Sequence, residues 1–166
     1  GFAHERRVNE DNIDLNRNFI DFDDGLPESP GYAELHPALV PSDWDGDGRA
    51  RADEAIQTYK AREGLPVFQQ VTSRGQYTHP DGLFFGGVGP SWSRRTIEGF
   101  AQKRLAHAAR IALVDFHTGL GPRGYGEVIG RGGPGDPQYE RTVAWYGSDV
   151  KSAAVGNSAS VRLSGT

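Results

Sequence analysis

The stretch Ile111-Ala112-Leu113-Val114-Asp115-Phe116-His117-Thr118-Gly119 decides how the fold is read from the sequence. Its first six residues are nearly continuous in apolar character, the pattern of a strand buried on both faces. Upstream, Ser93 offers an N-cap for a helix running to about Ala109, with Ile97, Phe100, Ala101, Leu105 and Ala108 as its apolar stripe. A helix followed by a buried strand predicts an α/β layer fold around a central sheet. His117 then stands at the carboxyl end of the predicted strand, where open α/β sheets place their ligand sites. Delivered there among small residues, it is placed to ligate a metal; a core histidine bonded to backbone is an equal alternative.

Working back from that stretch, Ala50–Glu63 repeats apolar residues at helical spacing (Ala52, Ala55, Ile56, Tyr59), and Gly64 stops it with Pro66 beyond. Gln69–Gly87 reads as short strands and turns, with Pro80-Asp81-Gly82 as one turn. Residues 25–49 hold four prolines, several glycines and Asp-rich clusters, which predicts irregular structure or a surface insertion. Near the start, Ile13–Leu15 reads as a short extended stretch leading into a turn at Asn16-Arg17-Asn18.

Composition bounds the function. The 166 residues carry 18 Lys plus Arg against 22 Asp plus Glu, a net charge of −4, which gives no electrostatic reason to expect nucleic acid or an anionic membrane as partner. There is no cysteine, so any metal must be held by His, Asp or Glu. That absence fits a reducing compartment, and a cytoplasmic location is the expectation. No apolar run approaches the roughly 20 residues of a membrane span. The chain has no Met and begins at Gly1 within a patterned segment, so it is expected to be an internal piece of a longer protein.

Asp14-Leu15-Asn16-Arg17-Asn18-Phe19 is the second chemical constellation. Arg17 offers a planar fork matched to a carboxylate, Asn16 adds a donor beside it, and Arg6-Arg7 add positive potential upstream. The plainer reading is a solvated basic loop neutralised by Glu5, Glu10 and Asp11.

Together the two constellations resemble zinc carboxypeptidases and the related acylases and desuccinylases. Asp14–Phe19 looks like their Asn-Arg motif, and Val114–Gly119 looks like the strand bringing their third zinc ligand. The resemblance is strongest to an uncharacterised bacterial branch. It extends through Arg6-Arg7-Val8-Asn9-Glu10-Asp11-Asn12 and Gly75-Gln76-Tyr77-Thr78-His79-Pro80-Asp81-Gly82. It implies the three-layer α/β phosphorylase/hydrolase-like fold with a mixed central sheet, residues 1–166 forming the central part of one catalytic domain with an irregular insertion at about 21–92. It implies that His117 binds a zinc ion, that Asn16 and Arg17 hold the substrate carboxylate in the same cleft, and that Arg7 polarises the scissile carbonyl. The substrate would be a small peptide or an N-acyl amino acid. The family's His-x-x-Glu pair is absent, and its general-base Glu would follow the chain given, so this segment alone is expected to be inert.

Three other features bear on function. Asp43-Trp44-Asp45-Gly46-Asp47-Gly48 with Glu54 matches a calcium-loop template and supplies a rival, a calcium-binding module at 43–54. Against it, Ala50 and Arg51 sit where the loop wants an apolar β-branched residue and an oxygen ligand. Gly119-Leu120-Gly121-Pro122-Arg123-Gly124 spells a dinucleotide fingerprint, but Pro122 and the glycines that follow do not start the helix it requires. Glu127 reads as structural rather than as the general base. A catalytically silent binding protein is the remaining alternative.

Overall fold

The computed structural model describes residues 6–116 and 122–159. They fall into two compact units that divide between Ile111 and Ala112. The first unit holds four helices: α1 (Tyr32–Leu39), α2 (Gly48–Glu63), α3 (Leu65–Ser73) and α4 (Trp92–Leu105). The second holds α5 (Pro137–Tyr146).

The described residues contain no β-strand; two isolated bridges, Gln76 with Phe85 and Ile129 with Lys151, are their nearest approach to a sheet. This corrects the α/β expectation: the described structure is helical. The run 111–116 carries no regular structure, and Leu113 and Phe116 are 93% and 91% exposed. An apolar run becomes a strand only when a neighbouring edge completes its hydrogen bonds, so the pattern alone does not make one. The α4 stripe departs from expectation in the same way, with Ile97 and Phe100 exposed.

Local chemistry explains the helices that do form. Asp43 accepts hydrogen bonds from the Gly46 and Gly48 N–H groups and so folds the loop that starts α2. Ala52 and Tyr59 are its buried face, and Gly64, at φ 88°, closes it by donating to the Lys60 carbonyl. Leu65 begins α3 at once, with Pro66 in its first turn rather than in a connecting loop. Residues 25–49 are less irregular than their prolines suggest. Tyr32 and Leu35 are buried and hold the two turns of α1 despite Pro37. The cap of α4 is Ser91, two residues before the expected Ser93; its hydroxyl accepts from the Arg94 N–H.

Beyond the helices, the first unit is tied together by buried side-chain amides. Asn18 donates to the carbonyls of Gly86 (2.7 Å) and Gly89 (2.9 Å) and accepts from the Ser91 N–H (2.8 Å). Gln76 accepts from the Thr78 and His79 N–H groups and donates to the His79 carbonyl, folding 76–79 around its own side chain. The turn at Pro80–Gly82 is present, with the Gly82 N–H on the His79 carbonyl. Among the described residues no helix is long and apolar enough to cross a membrane.

Candidate functional site

Asp14, Arg17 and Arg7 meet beside the ring of Phe84. A short 3-10 turn over Leu15–Arg17 sets the register. Its N-cap Asp14 accepts from the Asn16 N–H (3.1 Å), and the Asp14 N–H is held by the Phe85 carbonyl (2.8 Å). The Asp14 carboxylate is buried and receives Arg7, whose Nη2 lies 3.0 Å from Oδ2 and 3.4 Å from Oδ1. Asp14 therefore caps the turn and anchors Arg7 with the same side chain.

Arg17 lies buried across the 73–77 segment. Its Nε and Nη2 donate to the Ser73 carbonyl at 3.1 and 2.7 Å, and its own carbonyl accepts the Tyr77 hydroxyl at 2.7 Å. Gly75, at φ 107°, leaves room for the arginine stem: a Cβ there would sit 2.8 Å from Arg17 Cδ. Burial pushes the Arg17 guanidinium below its ordinary pKa; Asp14 opposes the shift, Arg7 adds to it, and Tyr77 opposes it. Burial likewise raises the Tyr77 phenol, with Arg17 opposing, so Tyr77 remains a donor at neutral pH.

Both guanidinium groups lie over Phe84, the Arg7 carbon 5.0 Å and the Arg17 carbon 5.6 Å from the ring centroid. Phe84 adopts φ 54°, a conformation that costs a bulky residue free energy and recurs at functional positions. The result is two cations around one aromatic ring with one buried carboxylate between them. Arg17 keeps Nη1 without a hydrogen bond to any described residue. Such a cluster is suited to receive an anion, and planar guanidinium donors favour a carboxylate.

Of the sequence-predicted residues, the structure brings Arg7 and Arg17 together. Asn16 is adjacent but exposed, its backbone rather than its amide engaged. Arg6 bonds Asn12, whose amide holds the Pro80 and Gly82 carbonyls, so Arg6 braces the loop that leads to Phe84. His117 and the first part of the glycine-rich run lie outside the described residues. Among the described residues no three His, Asp or Glu side chains group to hold a metal ion. In the 43–54 loop, Asp43 is occupied by two backbone N–H groups and by Arg51 at 3.6 Å. Glu127 accepts from the Ser158 hydroxyl and the Ala159 N–H within the second unit. Sequence reasoning missed Phe84 and Ser73. Their contribution is a ring placed by an unusual backbone angle and a bare carbonyl, neither of which leaves a motif.

A family model of proteins of unknown function matches residues 1–166. The chain belongs to the DUF2817 family. No curated protein and no solved structure matches it. The Asp14–Phe19 constellation and its partner loop 73–85 both lie within the matched span.

Proposed function

We propose that the protein is a zinc-dependent hydrolase of the carboxypeptidase-like class, cleaving a peptide or amide bond beside a free carboxylate. The observation that supports this reading is the pairing of Arg7 and Arg17 around Phe84, with Arg17 desolvated and one amino group uncommitted. In that reading Nη1 of Arg17 and the exposed Asn16 amide hold the substrate carboxylate. Arg7, kept in place by Asp14, faces the developing charge on the scissile carbonyl oxygen. Desolvation strengthens each of these contacts relative to water.

The described residues do not assemble a zinc site. In this reading His117 contributes one ligand, the remaining ligands and the general base come from elsewhere in the full-length protein, and the segment alone is inactive. The substrate is a small peptide or an N-acyl amino acid.

The test is hydrolysis of an N-acetyl amino acid and of its carboxamide-capped counterpart by the full-length protein, with zinc content measured in parallel. The proposal expects cleavage of the free acid and a fall of about tenfold or more for the capped substrate, the loss of one charge-assisted contact. Equal rates for the two substrates would remove the carboxylate clamp. Saturable binding of the acid without turnover would instead support a silent binding protein.

A further inference from the structure

A second concave site lies in the first unit, where α1, α2 and α3 pack together around a cavity of about 400 Å³. That volume is within the range of small-molecule pockets. Pro30, Val67 and Val71 supply apolar wall, and the Tyr59 hydroxyl projects between Gly31 and Val71. Gly31 keeps this space open, since a Cβ there would lie 2.9 Å from the Tyr59 oxygen. On α3 no residue is fully buried, and Val67 remains exposed, which leaves that apolar wall uncovered.

The charges around the rim are unequally engaged. Arg62 donates to both oxygens of Glu34 (2.7 and 2.9 Å) and to Glu63 (2.7 Å), so both carboxylates of that side are turned onto one cation that offsets half of their charge. Arg74, also on the lining, has no side-chain hydrogen bond or ion pair to any described residue. A cation left unengaged beside an apolar wall and a phenol matches one kind of ligand: an anionic head on a short apolar body.

We propose that this pocket binds a small apolar carboxylate, its carboxylate on Arg74 with the Tyr59 hydroxyl donating beside it, and its apolar body against Val67 and Val71. The site is separate from the Arg7–Arg17 cluster, although Gly75 lines this pocket and also packs on the Arg17 stem.

The test uses 3-phenylpropionate as probe and 3-phenylpropanamide as its uncharged counterpart, followed by backbone amide shifts in NMR titration. The expected result is saturable binding at about millimolar affinity, with shifts in residues 29–34 and 59–75. Binding weakens about tenfold for the amide and about tenfold in Arg74→Gln. Val71→Phe, which fills the cavity without touching a charge, abolishes it. No saturable shift, equal affinity for the amide, or shifts confined to residues around Arg7 and Arg17 and unchanged in Arg74→Gln would each overturn the assignment.

Discussion

Replacing Asn18 with alanine tests whether the first unit is held as described. The side chain is fully buried and makes three hydrogen bonds: to the Gly86 and Gly89 carbonyls and from the Ser91 N–H. Truncation strands those three backbone groups. Each unsatisfied buried group costs about 1–3 kcal/mol, and the partly exposed Gly89 carbonyl recovers some of that from water. The expected loss is therefore about 4 kcal/mol, a large share of the roughly 5–15 kcal/mol available to a folded domain. Asn18→Asp sharpens the reasoning. It keeps the acceptor for Ser91 but turns an anionic oxygen towards two carbonyls, so it is expected to be at least as damaging as alanine. Urea unfolding followed by tryptophan fluorescence measures both. A loss below about 1 kcal/mol for alanine, or native stability for Asn18→Asp, would refute the hub role.

Three further outcomes follow from the same geometry. Tyr77→Phe removes the donor to the Arg17 carbonyl and should cost about 1–2 kcal/mol in the same unfolding assay. Burial raises the phenols of Tyr32, Tyr59 and Tyr77. The unfolded chain therefore releases those protons first. Stability should be complete below about pH 10 and fall as pH rises from there towards the folded values, less steeply in Tyr77→Phe, as alkaline unfolding curves would show. Asp43→Ala should cost about 0.5–2 kcal/mol through the lost loop-and-helix start, and millimolar calcium should leave the melting temperature of the native protein unchanged. A calcium-dependent rise that disappears in Asp45→Ala would bring the calcium-loop reading forward.

The parts of this fold legible in the sequence are those fixed by neighbours along the chain. The α2 helix is one, because the Ala52–Tyr59 spacing and the Gly64 stop act within a few turns. The Pro80–Gly82 turn is another. The α1 helix was hidden because Pro37 and its short length argue against it locally, whereas burial of Tyr32 and Leu35, a tertiary effect, holds it. The run 111–116 misled for the opposite reason: its pattern is that of a buried strand, but burial is decided by partners absent from the pattern. At the candidate site, Arg7 and Arg17 were legible as donor chemistry near the start of the chain. Their convergence on Phe84 was not, since it depends on a loop some 70 residues away in sequence.

The central claim, that Arg17 clamps a substrate carboxylate, is tested most directly by kcat/KM for an N-acetyl amino acid in the full-length protein carrying Arg17→Lys. Lysine keeps the charge and can still reach the Ser73 carbonyl, but it lacks the fork that leaves Nη1 for the ligand. The account predicts a fall of roughly tenfold to a hundredfold, equivalent to about 1.5–3 kcal/mol, with zinc content unchanged. Native kcat/KM in a folded Arg17→Lys protein would contradict it and leave Arg17 as a structural brace for the 73–77 segment.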